Sequence, residues 1–109
     1  MIEENDIEKA CEWLRDHAEE GAVFRAQRIY VEEWRKVIKA QIMKEHVDLP
    51  VSAQEREAYA DERYTQHLSA IQEAVKNDEY HRFLRAAAEA KIEAWRTQQA
   101  DTRGMGRVG

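Results

Sequence analysis

The sequence predicts an all-α protein: a long helical hairpin whose two arms are joined by a short connecting helix, assembled into a homo-oligomer. Three observations predict it. The chain of 109 residues holds four glycines and a single proline, so few positions interrupt regular structure. Apolar residues recur at three- and four-residue steps through most of it, the period of a helix face rather than of a strand. The one proline, Pro50, falls near the middle, where a hairpin has to turn.

The first arm is expected over residues 6 to 45. Asn5 or Asp6 can start it, with Glu8 reaching back as the third position of a capping box headed by Asn5. Ile7, Cys11, Leu14, Ala18 and Ala22 form one apolar line, and Val23, Ala26, Tyr30, Trp34, Val37 and Ile38 carry a rotated stripe onward. Gly21 lies inside this span at a cost of about 1 kcal/mol against alanine, so one helix bends there or two helices meet, and continuity is the favoured reading. Pro50 pushes Leu49 to extended geometry and makes the turn. Ser52 with Glu55 reads as a second capping box for a short helix ending at Ala60, and Asp61 can cap the helix after it. On that second arm Tyr64, Leu68, Ile71 and Val75 form a seam. The "KND" at 76 to 78 then shifts the phase to Tyr80, Leu84, Ala87, Ala88, Ile92 and Trp95, which predicts a kink or short break near Asn77 with Asp78 as a cap. Residues 1–103 are read as one helical domain, and the glycines of "RGMGRVG" mark 104–109 as a mobile tail carrying Arg107.

Two amphipathic arms leave more apolar surface than a single hairpin covers, which is why self-association is expected. Tyr64, Leu68, Ile71 and Val75 are the candidate interface, joined by Trp13, which stands off the Ile7–Cys11–Leu14 line. Trp34 and Trp95 project onto or near apolar faces and are expected to be buried.

Catalytic chemistry finds no purchase. His17, His46, His67 and His81 have neither the His-Glu-x-x-His nor the Glu-x-x-His spacing that places metal ligands on one helical face; His67 and His81 read as solvated, and His46 answers a helix dipole. Cys11 stands alone, so an intramolecular disulfide and a cysteine-based zinc site are excluded within one chain. There is no phosphate-cradling glycine loop and no nucleophile elbow. The expectation is a non-enzyme with no metal, no cofactor and no small-molecule substrate. No apolar run approaches a membrane span and the acidic N-terminal decapeptide lacks a signal-peptide pattern, so a soluble cytoplasmic protein is expected.

Net charge is −5, yet its sign alternates along the chain. Residues 1 to 20 hold eight acids against two bases, and residues 21 to 45 hold six bases against three acids. At about 100° per residue, Arg25, Arg28, Arg35, Lys36 and Lys39 fall in one stripe opposite Ala26, Tyr30, Trp34 and Val37. Such a stripe can track a nucleic-acid backbone, or be an ordinary solvated face, as Glu32 and Glu33 within and beside it allow. Arg85, Arg96 and Arg103 line the outer side of the last helix, where Arg85 can pair with Glu89 and leave Arg96 and Arg103 for a partner.

Three segments, "YVEEWRKVIKAQIMKEH", "QEREAYADERYTQHLSAIQEAV" and "EYHRFLRAAAEAKIEAWRTQQADTRG", together resemble a group of small phage and prophage proteins. The "EAWRTQQADTR" stretch is the most recognisable. More distantly, the layout resembles the UvsY-type recombination mediators of T-even phages. That resemblance implies a helical oligomer in the bacterial host cell that binds single-stranded DNA and helps a recombinase displace the single-strand-binding protein. It assigns phosphate contacts to Arg25, Arg28, Arg35, Lys36 and Lys39, with Arg96 and Arg103 as a second patch. Two alternatives stand beside it: an acidic phage inhibitor or adaptor that blocks a host nucleic-acid enzyme with Glu3, Glu4, Asp6, Glu8, Glu12, Asp16, Glu19 and Glu20, and a virion assembly component.

Overall fold

A helix begins where its first unpaired amides find an acceptor, and here the acceptor is Asp6. Its carboxylate takes the backbone N–H of Glu3 at 3.0 Å, with Glu3 extended at φ −87°, ψ 154°, so α1 spans Glu4–Asp16. The start lies two residues ahead of the expected Asn5 box. In the computed structural model, which describes residues 1–108 and the side chains of residues 1–106, three further helices follow: α2 (Ala18–Lys44), α3 (Val51–Ala60) and α4 (Glu62–Val108). The protein is all-α, as the periodicity predicts.

The expected continuous first arm is broken, and the break is at His17 rather than Gly21. His17 leaves helical geometry at φ −108°, ψ 8°, while its ring Nδ1–H donates to the Trp13 carbonyl at 2.9 Å and its backbone N–H to the same oxygen at 3.0 Å. Gly21 stays helical and serves a different purpose. A Cβ built on it would lie 2.4 Å from Cε1 of His81, so the glycine makes room for that ring.

Between α2 and α3 the chain turns through Glu45–Pro50 in short backbone bonds, Glu45 N–H to Ile42 and His46 N–H to Met43, each 3.0 Å. Pro50 occupies the N-cap position of α3, and Ser52 therefore sits inside the first turn instead of capping it; the Gln54 amide donates to the Leu49 carbonyl at 2.8 Å. Asp61 does cap α4, accepting the Arg63 N–H at 2.8 Å.

α4 runs 47 residues without interruption, so the helix is not broken near Asn77, and it continues past residue 103 to Val108. The reason is visible at Asp78. Its carboxylate is bonded to Arg28 at 3.1 Å rather than to nearby backbone, so it does not compete with the helix. Gly104 and Gly106 are helical too, and the side chain of Arg107 lies outside the described residues.

Contacts divide the chain into two units, Met1–Ala22 with the chain from Tyr80, and Val23–Glu79, where the sequence reading takes 1–103 as one domain. In the first, α1 lies antiparallel to the later part of α4, since Ile2 meets Gln98 while His17 meets His81. Its core is Ile7 and Ala10 with buried His81. The second is a helical hairpin of α2 and the early part of α4 with α3 at its turn, and Val31, Ile42, Ala58 and Ala74 form its core.

Candidate interaction surfaces

The geometry of α2 decides which of its residues can meet a partner. Within the second unit its inward line is Phe24, Arg28, Val31, Ile38 and Ile42, in steps of four, three, seven and four residues, with Val31 and Ile42 buried and the others half-buried. The outward line is Val23, Ala26, Tyr30, Trp34 and Val37. These are the residues expected to face the hairpin, and the helix is rotated so that they do not. Tyr30 is 60% and Trp34 38% exposed, their rings stacked 5.9 Å apart along the helix surface. Burial of Trp34 is thus corrected: polar Arg28 holds a seam position that an apolar count passes over.

Arg28 is the centre of that seam. Its guanidinium donates to Glu79 at 2.8 Å, to Glu32 at 3.0 Å and to Asp78 at 3.1 Å, and Asp78 is only 4% exposed. The three carboxylates, Glu79 foremost, hold Arg28 well above its ordinary pKa. Buried carboxylate and half-buried guanidinium complete each other, and either alone would be left uncompensated. His67, expected in solvent, also lies in this seam and donates from Nε2–H to the Val31 carbonyl at 2.5 Å.

The predicted phosphate-binding stripe is therefore divided. Arg25 and Arg35 are exposed, and among the described residues neither has an ion-pair partner. Lys36 pairs with Glu33 at 3.0 Å. Lys39 pairs with Glu55 at 3.6 Å and lies 4.9 Å from the ring centroid of Tyr59, whose phenol, with Glu55, raises the lysine pKa. On the last helix Arg96 meets Glu93 at 3.5 Å and Arg85 meets Glu89 at 4.0 Å, while Arg103 is exposed. Arg25, Arg35 and Arg103 are the cations of the predicted set that stand open.

The expected oligomer residues are also separated. Trp13 is half-buried against its own chain, stacked on His17 at 4.6 Å and tilted over His81 at 5.3 Å. Tyr64 meets Tyr59 edge-on at 5.3 Å, Ile71 and Val75 are half-buried, and Leu68 is exposed. Trp95 is half-buried. His81, also expected in solvent, is buried and donates from Nε2–H to the His17 carbonyl at 3.0 Å.

No family model, no curated protein and no solved structure matches this chain. Among the described residues no three of His, Cys, Asp or Glu gather as a metal site, and no helix is long and apolar enough to cross a membrane. Sequence reasoning missed Lys9 and Lys91, which stand beside a groove between α1 and α4. The signal was faint: two isolated lysines, one inside an alanine-rich run.

Proposed function

We propose that this chain is a non-enzymatic helical accessory protein of DNA recombination, of the mediator type its sequence resembles, and that it assembles through the outward face of α2. The observation that carries this reading is the exposed line Val23, Tyr30, Trp34 and Val37. A contiguous apolar helix face with a stacked aromatic pair is expensive to leave in water and is the usual anchor of a protein interface. Assembly of copies would array Arg25, Arg35 and Arg103, and a few cations per subunit then sum to useful affinity for single-stranded DNA by multivalency. The recombinase and the single-strand-binding protein are the protein partners this role calls for.

A second reading has its own observation. Arg28, Lys36, Lys39 and Arg96 all have acidic neighbours, while Glu3, Glu4, Glu8, Glu12, Asp16, Glu19 and Glu20 are exposed. That balance favours an acidic adaptor or inhibitor that occupies a basic groove of a nucleic-acid enzyme.

Titration with labelled single-stranded DNA at low and moderate salt separates the two. A mediator binds, weakens as salt rises, and loses affinity on Arg25→Gln with Arg35→Gln while keeping its melting temperature. Arg28→Gln should do the opposite, lowering the melting temperature because Asp78 loses its partner. Absence of binding at low salt overturns the mediator reading in favour of the acidic one.

A further inference from the structure

The first unit contains a groove that neither function above uses. It is lined by Ala10 and Trp13 of α1 and by Leu84, Ala87 and Ala88 of α4. Lys9, Lys91 and Asp6 stand at its edges, and its volume is about 270 Å³. Small-molecule sites usually run from about 300 to 1,000 Å³, so this one suits a single large side chain delivered by a peptide better than a free metabolite. The small alanines leave it open, and the indole and leucine side chains make it apolar. Along α4 the apolar surface continues for a further turn through Tyr80 and Phe83, the latter 70% exposed.

Charge identifies the kind of peptide. Arg28, Lys36, Lys39, Arg63, Arg85 and Arg96 each have a carboxylate within ion-pair distance. Among the described residues Lys9 and Lys91 have none, like Arg25, Arg35 and Arg103, but these two lysines alone of the five line this apolar groove. Asp6 lines the same groove, but no ion pair joins it to either lysine; its carboxylate accepts the Glu3 N–H at 3.0 Å at the start of α1. Lys9 from α1 and Lys91 from α4, without carboxylate partners beside one largely apolar groove, form a site complementary to an anionic, apolar segment.

We infer that this groove docks a short acidic peptide segment of another protein, with an aromatic or branched apolar side chain seated between Trp13 and Leu84 and flanking carboxylates on Lys9 and Lys91. The chain's own acidic N-terminus is not the occupant. Ile2 is tied to Gln98 by a pair of bonds, Gln98 Nε2–H to the Ile2 carbonyl at 3.2 Å and Ile2 N–H to Gln98 Oε1 at 3.4 Å, which holds that segment on its own unit. The site is independent of the α2 face, so its failure and the failure of the assembly proposal are separately visible.

The test uses the full chain and a fluorescein-labelled decapeptide of aspartates and glutamates with one central phenylalanine, read by fluorescence anisotropy. Two controls replace the phenylalanine by serine or the acids by lysines. The phenylalanine acidic peptide should bind, and both controls should bind at least about tenfold more weakly, the change worth about 1.4 kcal/mol. Lys9→Glu with Lys91→Glu should weaken binding by a similar factor and reduce its salt dependence, with circular dichroism unchanged. Ala87→Leu, at an exposed position, should fill the groove and block the peptide without changing the lysines. Equal binding of the serine control, or of the double lysine variant, overturns the inference. If the double variant instead dissociates an oligomer seen by sedimentation, the groove belongs to a second copy, and the inference is equally overturned.

Discussion

The two units of this chain solve one problem in opposite ways. Both pair helices antiparallel with little apolar bulk between them. The second turns its charge inward: Arg28 with Asp78 and Glu79 forms the seam, and the apolar residues Tyr30, Trp34 and Val37 are left outside. The first seals its seam with ring hydrogen bonds, His17 to Trp13 and His81 to His17, and leaves two lysines beside an apolar groove. The difference teaches that a helix face cannot be assigned from polarity alone. A polar residue whose partners are complete packs inward as readily as a leucine, and an apolar stripe then marks what faces a partner.

Truncations on the two sides of α2 break this comparison most sharply. Ile42 has no exposed surface, and Ile42→Ala should cost about 2–5 kcal/mol by chemical denaturation. Val37→Ala, on the outward face, should change the stability of the single chain by no more than about 0.5 kcal/mol. Equal losses at the two positions would mean that the outward face is covered within the chain.

The first unit offers a test of its own seam. Gly21→Ala forces a methyl against the His81 ring, and overpacking of this kind costs about 1–3 kcal/mol. His81→Ala in the same chain should recover part of that loss, and a double-mutant cycle measures the coupling. Additive losses would show that the glycine and the ring do not meet.

Smaller in effect is the pH dependence at the start of α4. Arg63 holds Asp61 below its usual carboxylate value by side-chain and backbone hydrogen bonds. The folded chain therefore binds this proton less readily than the unfolded one. The contribution is complete above about pH 4, the ordinary aspartate value, and is lost as pH falls through the lower folded value. Melting curves of the parent and of Asp61→Asn should differ at neutral pH and converge as pH falls through the lowered carboxylate value. A gap that stays constant across that range would place the role of Asp61 elsewhere.

The helical class was legible because three- and four-residue spacing survives even where individual residues are misassigned, and Pro50 and Asp61 act through local chemistry that sequence shows directly. The phase of α2 was not, since an apolar count discards Arg28 and chooses Tyr30 and Trp34. The same omission produced the break expected near Asn77. The inward line of α4 passes through Asp78 and His81, two polar residues with partners far along the chain, and omitting them makes a continuous register look broken. Cations suffered similarly: whether Lys39 or Arg25 is open depends on whether a glutamate from another helix lies within reach, as Glu55 does for Lys39.

Light scattering on the parent and on a Tyr30→Ser, Trp34→Ser double variant tests most directly whether the outward face of α2 is an assembly surface. The account predicts a mass that is a multiple of 12.8 kDa for the parent across the micromolar range, falling to 12.8 kDa for the variant, with unchanged helicity. A parent that scatters as 12.8 kDa at every concentration, or a variant that keeps the mass of a parent oligomer, would contradict it.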